Sequence, residues 1–165
     1  MAKDPNFTEQ LKKGMVLEDI AVDHLLDNNP GSLVIPTHDF KTGKGKGPRM
    51  LRKGHKDVIF PDLMMVEAMS KAVTLIEVKR KKKTLGLPGH HGKEFAAVEK
   101  YKVQDYRKCA NLLGADLYFI IGIDSSGELH YVKDSNHVIH NFNNQYSRCD
   151  NYCIELTDKT IVDKY

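Results

Sequence analysis

The chain has no apolar run long enough to cross a membrane, and its first residues, Met1-Ala2-Lys3-Asp4-Pro5, lack the apolar core of a secretory signal. Cysteine is scarce. Cys109, Cys149 and Cys153 are an odd number, which argues against a disulfide framework. There is no internal repeat. These absences lead to the expectation of a cytoplasmic protein without membrane association. With 165 residues, 41% of them hydrophobic, one globular domain spanning 1–165 is the natural expectation, with a core at about 8–133 and a polar C-terminal extension at 134–165.

The net charge is only +3, but it is unevenly spread. Lys79-Arg80-Lys81-Lys82-Lys83 is an unbroken basic run, and a glycine-rich segment holds Lys41, Lys44, Lys46, Arg49, Arg52, Lys53 and Lys56. A single run of this kind is usually a solvated face. Two runs bracketing a pair of carboxylates favour a polyanionic partner, because phosphate contacts dominate nucleic-acid affinity.

Those carboxylates are Asp62, in Asp57-Val58-Ile59-Phe60-Pro61-Asp62, and Glu77, in Leu75-Ile76-Glu77-Val78-Lys79. Both segments are expected to be strands, at about 57–63 and 73–79. Side chains alternate along a strand, so Glu77 and Lys79 share a face that Ile76 and Val78 do not. Asp57 lies an odd number of residues before Asp62 and would face the other way. Two carboxylates can hold a hard divalent cation such as Mg²⁺. A neighbouring lysine can orient water or steady a phosphate.

Hydrophobic spacing predicts a helix over about Thr8–Asn28, with Leu11, Met15, Val22 and Leu25 on one stripe and Glu18 in its middle. A carboxylate facing a core is costly unless paired or metal-bound. It therefore has either a salt-bridge partner or a place in the metal site, and beside Asp62, Glu77 and Lys79 the second is preferred. A second helix is predicted from about Glu94 to Leu113, ending at Gly114, with Phe95, Val98, Tyr106, Cys109 and Leu113 as its apolar stripe and Lys102 interrupting it. Strands are expected at Ser32–Pro36, Asp116–Ile123 and Glu128–Lys133, and short ones near Tyr152–Leu156 and Thr160–Val162. Helix, three strands, helix and further strands make an α/β (mixed α+β) fold, a mixed sheet flanked by helices.

Pro61-Asp62 followed by Glu77-Val78-Lys79 resembles the PD-(D/E)xK nuclease superfamily. Gly14, Glu18, Ala21 and Leu25-Leu26 look like the first helix of Holliday-junction resolvases and their relatives, and Gln104 and Tyr106 onward to Leu113-Gly114-Ala115-Asp116 look like the helix and strand after the motif. The resemblance covers about residues 10–133 and implies a restriction-endonuclease-like core of order α-β-β-β-α-β. It implies Mg²⁺ or Mn²⁺ held by Asp62, Glu77, the Val78 main-chain carbonyl and Glu18, with Lys79 positioning or activating water. Arg80, Lys81, Lys82, Lys83, Arg52, Lys53, Lys102 and Gln104 would contact nucleic acid, although the helical wheel turns Gln104 away from the apolar stripe. The implied activity is DNA endonuclease cleavage, structure-selective in the manner of a junction resolvase, by a homodimer. A restriction- or repair-type nuclease, an exonuclease on DNA ends, and a catalytically inactive nucleic-acid-binding module are the alternatives. A zinc site built from His137, His140, Cys149 and Cys153 is a further reading, outweighed by ordinary surface histidines and buried thiols.

Overall fold

The computed structural model describes residues 5–37, 49–50, 58–135, 140–142, 150–156 and 159–161. Its elements in chain order are helix α1 (Pro5–Asn28), strands β1 (Leu33–Pro36), β2 (Arg49–Met50), β3 (Val58–Ile59), β4 (Leu63–Val66), β5 (Val73–Lys81) and β6 (Phe95–Glu99), helix α2 (Lys100–Leu113), and strands β7 (Asp116–Ile123), β8 (Glu128–Lys133), β9 (His140–Phe142), β10 (Asn151–Glu155) and β11 (Lys159–Ile161).

Six strands form the central sheet in the order β1-β4-β5-β7-β8-β11. Every pair is antiparallel except β5–β7, which runs parallel from Thr74↔Asp116 to Lys81↔Ile123. A parallel pair needs a long crossover, supplied here by β6 and α2. The sheet is therefore mixed, and α1, β1, β4, β5, α2 and β7 reproduce the expected α-β-β-β-α-β order.

Alternation along β5 divides the core in two. Ile76 and Val78 join Ile120 and Leu129 beneath Leu17, Ala21 and Leu25 of α1. Leu75 joins Phe119 and Ile121 beneath Val103, Tyr106, Cys109 and Ala110 of α2. The sheet thus lies between the helices, and Glu77 and Lys79 sit on the α2 side. β6 and β10 pair with each other, and Ala96, Val98 and Ile154 extend the α2-side core.

Three expectations are corrected. The buried stripe of α1 runs through Leu17, Ala21 and Leu25, a spacing of four; of the expected residues Leu25 is buried, Val22 packs at the edge of this cluster, and Met15 is only partly buried. The Leu11 side chain lies outside the described residues. Residues 95–99 form a strand, not the start of the second helix. Phe95 and Val98 are fully buried as strand residues, and α2 starts at Lys100. Ala96, Ala97 and Glu99 suit a helix by propensity, but pairing with β10 overrides it. Finally, the expected strand at 57–63 is interrupted: β3 pairs with β2, and β4 begins only after Pro61, which has no N–H to give a ladder. The chain leaves α2 through Gly114, whose φ of 62° is a left-handed C-cap open to glycine without strain.

Candidate active site

The β4–β5 ladder ends at Leu63↔Ile76, and continuing that register by one step sets Asp62 opposite Glu77. Beyond the last pair the Val78 N–H donates instead to Asp62 Oδ2 at 2.9 Å. The Asp62 backbone is held from the far side. The Thr37 hydroxyl donates to the carbonyls of Pro61 (2.6 Å) and Asp62 (3.0 Å), and the Thr37 N–H donates to the Asp62 carbonyl at 3.0 Å. A side chain just after edge strand β1 thus fixes the carboxylate that enters β4.

Glu77 is 1% exposed. Its Oε1 forms an ion pair with the Lys79 ammonium and accepts a hydrogen bond from the Tyr106 hydroxyl at 2.5 Å. Among the described residues its Oε2 is buried with no hydrogen-bond partner, and so is Oε2 of Glu18. Burial pushes the Glu77 carboxyl up to about 7, helped by Asp62 and opposed by Lys79. Burial, then the Asp62 and Glu77 charges, push Glu18 up to about 8. Burial pulls the Lys79 ammonium down, but Glu77 and Asp62 outweigh it and hold its pKa above the usual range. Desolvation pushes the Tyr106 hydroxyl far up, with the Glu77 charge adding to it, so it stays a donor.

Glu18, Asp62, Glu77 and Lys79 therefore come together, as expected from sequence, with Glu18 arriving from the α1 side on the flank of its stripe. Among the described residues no three His, Cys, Asp or Glu side chains are grouped tightly enough to hold an ion as they stand. The reason is local: Glu77 Oε1 is turned to Lys79 and Tyr106, and Asp62 Oδ2 to the Val78 N–H. The donor set nevertheless fits a hard divalent cation. Two unpartnered carboxylate oxygens in a site of mutually repelling acids are what such a cation would satisfy.

The basic residues divide. Arg80 is turned from Lys79 to the α1 side, with Nε 2.6 Å from Asp124 and Nη1 3.0 Å from the Lys13 carbonyl. Lys82 and Lys83 are exposed, Lys81 is partly buried, and Lys102 pairs with Glu99 at 2.9 Å. Gln104 is exposed, as its place on the wheel indicated. Arg52, Lys53 and Asp57 lie outside the described residues, as do His137, Cys149 and the side chain of His140. Cys153 is a free, buried thiol packed with Leu87 and Phe95.

Sequence reasoning missed Tyr106 as a site residue and took it for core. Its signal was present, because a buried tyrosine hydroxyl needs a partner. Thr37 and Glu99 gave no comparable signal.

No known protein family matches the chain by sequence, and no curated protein is significantly similar to it. Among solved structures it is similar to Hjc, a Holliday junction resolvase of the archaeal hyperthermophile Archaeoglobus fulgidus. The two are 15% identical, the match covers 87% of this chain and 84% of that one, and the TM-score is 0.52. The likeness establishes the restriction-endonuclease-like fold.

Proposed function

We propose that the protein is a divalent-metal-dependent nuclease that hydrolyses phosphodiester bonds in DNA, with selectivity for branched structures of the junction type. The observation that carries this reading is the meeting of Asp62, Glu77, Lys79 and Glu18, with two buried carboxylate oxygens unpartnered among the described residues. A fold shared with a Holliday junction resolvase supports it, although fold by itself never fixes function.

Asp62, Glu77, Glu18 and the Val78 carbonyl are the groups that would hold Mg²⁺ or Mn²⁺. When bound, such an ion neutralises charge on a nonbridging phosphate oxygen and lowers the pKa of water. The chain itself positions and balances. Lys79 keeps its proton beside Glu77, which suits it to donate hydrogen bonds to water and phosphate, not to remove a proton. Tyr106 and the Val78 N–H fix the rotamers of Glu77 and Asp62. Thr37 holds the strand entry that carries Asp62.

The test is a cleavage panel of single strand, duplex, flap, four-way junction and RNA, each with and without Mg²⁺. Cutting that needs the metal and falls at least about a hundredfold in Asp62→Ala and Glu77→Ala is the expected result. Variants that cut as well as wild type would sink the assignment. A four-way junction offers two equivalent scissile strands, so a symmetric dimer is the expected working form. Light scattering that reports a strict monomer at working concentration counts against junction selectivity.

A further inference from the structure

Beside the Glu77–Lys79 pair lies a second charged group that the chemistry above does not use. Alternation along β5 puts Lys81 on the same face as Glu77 and Lys79. Lys81 is partly buried and makes no ion pair among the described residues. Glu99 ends β6 immediately before α2, within electrostatic reach of Lys79, Lys81 and Lys102, and its carboxylate takes the Lys102 ammonium at 2.9 Å. Its backbone is held by β10 through the Asn151↔Glu99 pair. Glu99 thus pairs with Lys102 and lies within electrostatic reach of Lys79 and Lys81, and among the described residues Lys79 also has Glu77 and Asp62 close by.

Burial pulls Lys81 below the usual lysine range, with Glu99 opposing. Burial pushes Glu99 up, but the Lys102 hydrogen bond and the charges of Lys102 and Lys79 outweigh it and hold Glu99 well below the usual carboxylate range. Glu99 is therefore a firm anion, and Lys81 and Lys102 together outnumber it.

We propose that Lys81 and Lys102 form a phosphate-binding subsite next to the Glu77–Lys79 centre, and that the Glu99 carboxylate occupies it in the nucleic-acid-free protein as an internal stand-in for a backbone phosphodiester. This rests on the nuclease reading. When a strand enters, its phosphate displaces Glu99 from Lys102 and also engages Lys81. Glu99 then repels any strand that cannot bring a phosphate to this point, so it weakens binding while sharpening the register of the strand in the site. Because Lys102 begins with Glu99 as its counterion, wild type releases one fewer salt cation from DNA on binding than a protein without that carboxylate.

The test is fluorescence anisotropy with a labelled duplex and a labelled four-way junction, in EDTA, over a range of salt. Glu99→Gln is expected to tighten binding about fivefold at low salt and to steepen the salt slope by about one. Lys81→Met should weaken binding about fivefold, independently of how well Glu99→Gln folds. The gain from Glu99→Gln should vanish in a Lys102→Met background, an outcome that a merely structural ion pair would not give. Unchanged or weaker binding by a Glu99→Gln protein that melts like wild type, a gain that persists without Lys102, or wild-type affinity in Lys81→Met overturns the inference while leaving the nuclease reading intact. Wild type that binds neither DNA overturns both.

Discussion

Glu18→Gln should make the metal-free protein more stable. The substitution keeps the size and shape of the side chain and removes its ability to ionise. The Glu18 carboxyl is raised from an ordinary 4.5 to about 8 by burial and by the Asp62 and Glu77 charges. A raised folded-state pKa contributes stability that is fully present below about pH 4.5 and lost as pH climbs through about 8. At about pH 7.5 the face-value loss is near 4 kcal/mol, at roughly 1.4 kcal/mol per pKa unit. Glu18 is only partly buried, so solvent screening brings this to about 1–2 kcal/mol. For a chain of this size that is a rise in melting temperature of about 3–6 °C. Thermal denaturation in EDTA at about pH 7.5 and about pH 5 measures it, and the gain should all but disappear at the lower pH. Mg²⁺ should stabilise wild type more than the variant, since the cation and the substitution relieve the same repulsion. A Glu18→Gln protein that melts at or below wild type at about pH 7.5, or gains equally at both pH values, would refute the placement of Glu18 among the other acids.

Tyr106→Phe removes the hydroxyl that orients Glu77 and should cost about 1.5–3 kcal/mol of stability, with a roughly tenfold rise in the Mg²⁺ concentration needed for half-maximal cleavage. Chemical denaturation and a metal titration read the two effects separately, and an unmoved titration midpoint would remove Tyr106 from the site. Lys79→Ala should lower turnover far more than metal affinity, as single-turnover rates and calorimetric titration with Mn²⁺ can distinguish. Thr37→Val, which loses both hydroxyl contacts to the Asp62 segment, should reduce cleavage about tenfold while Glu77→Ala remains the more severe lesion. Equal activity of Thr37→Val and wild type would mean that Asp62 needs no support from β1.

Much of the geometry of the candidate site is legible in sequence because strand alternation is a strict rule. Glu77 and Lys79 share a face in the structure as the period of two requires, and Pro61-Asp62 lands beside them. The place of Glu18 near the other acids follows from a carboxylate close to an apolar stripe, although only Leu25 of the expected stripe is fully buried. Leu17 and Ala21 carry the burial, and alanine adds little weight to a hydrophobic pattern. Where the reading failed, the cause was non-local. Phe95-Ala96-Ala97-Val98-Glu99 has helical propensity, and only a distant partner, β10, makes it a strand. Thr37 acts through backbone carbonyls, which no side-chain pattern records.

The pairing of β6 with β10 also bears on the order in which the protein acquires its structure. Asn151 meets Glu99 across a separation of about fifty residues, whereas β4 and β5 are joined by a short turn. During synthesis, α1 through β5 emerge first and already hold Glu18, Asp62, Glu77 and Lys79. The β10 segment emerges long after them. A nascent chain therefore carries its acids before the strand that pairs with the Glu99 segment exists.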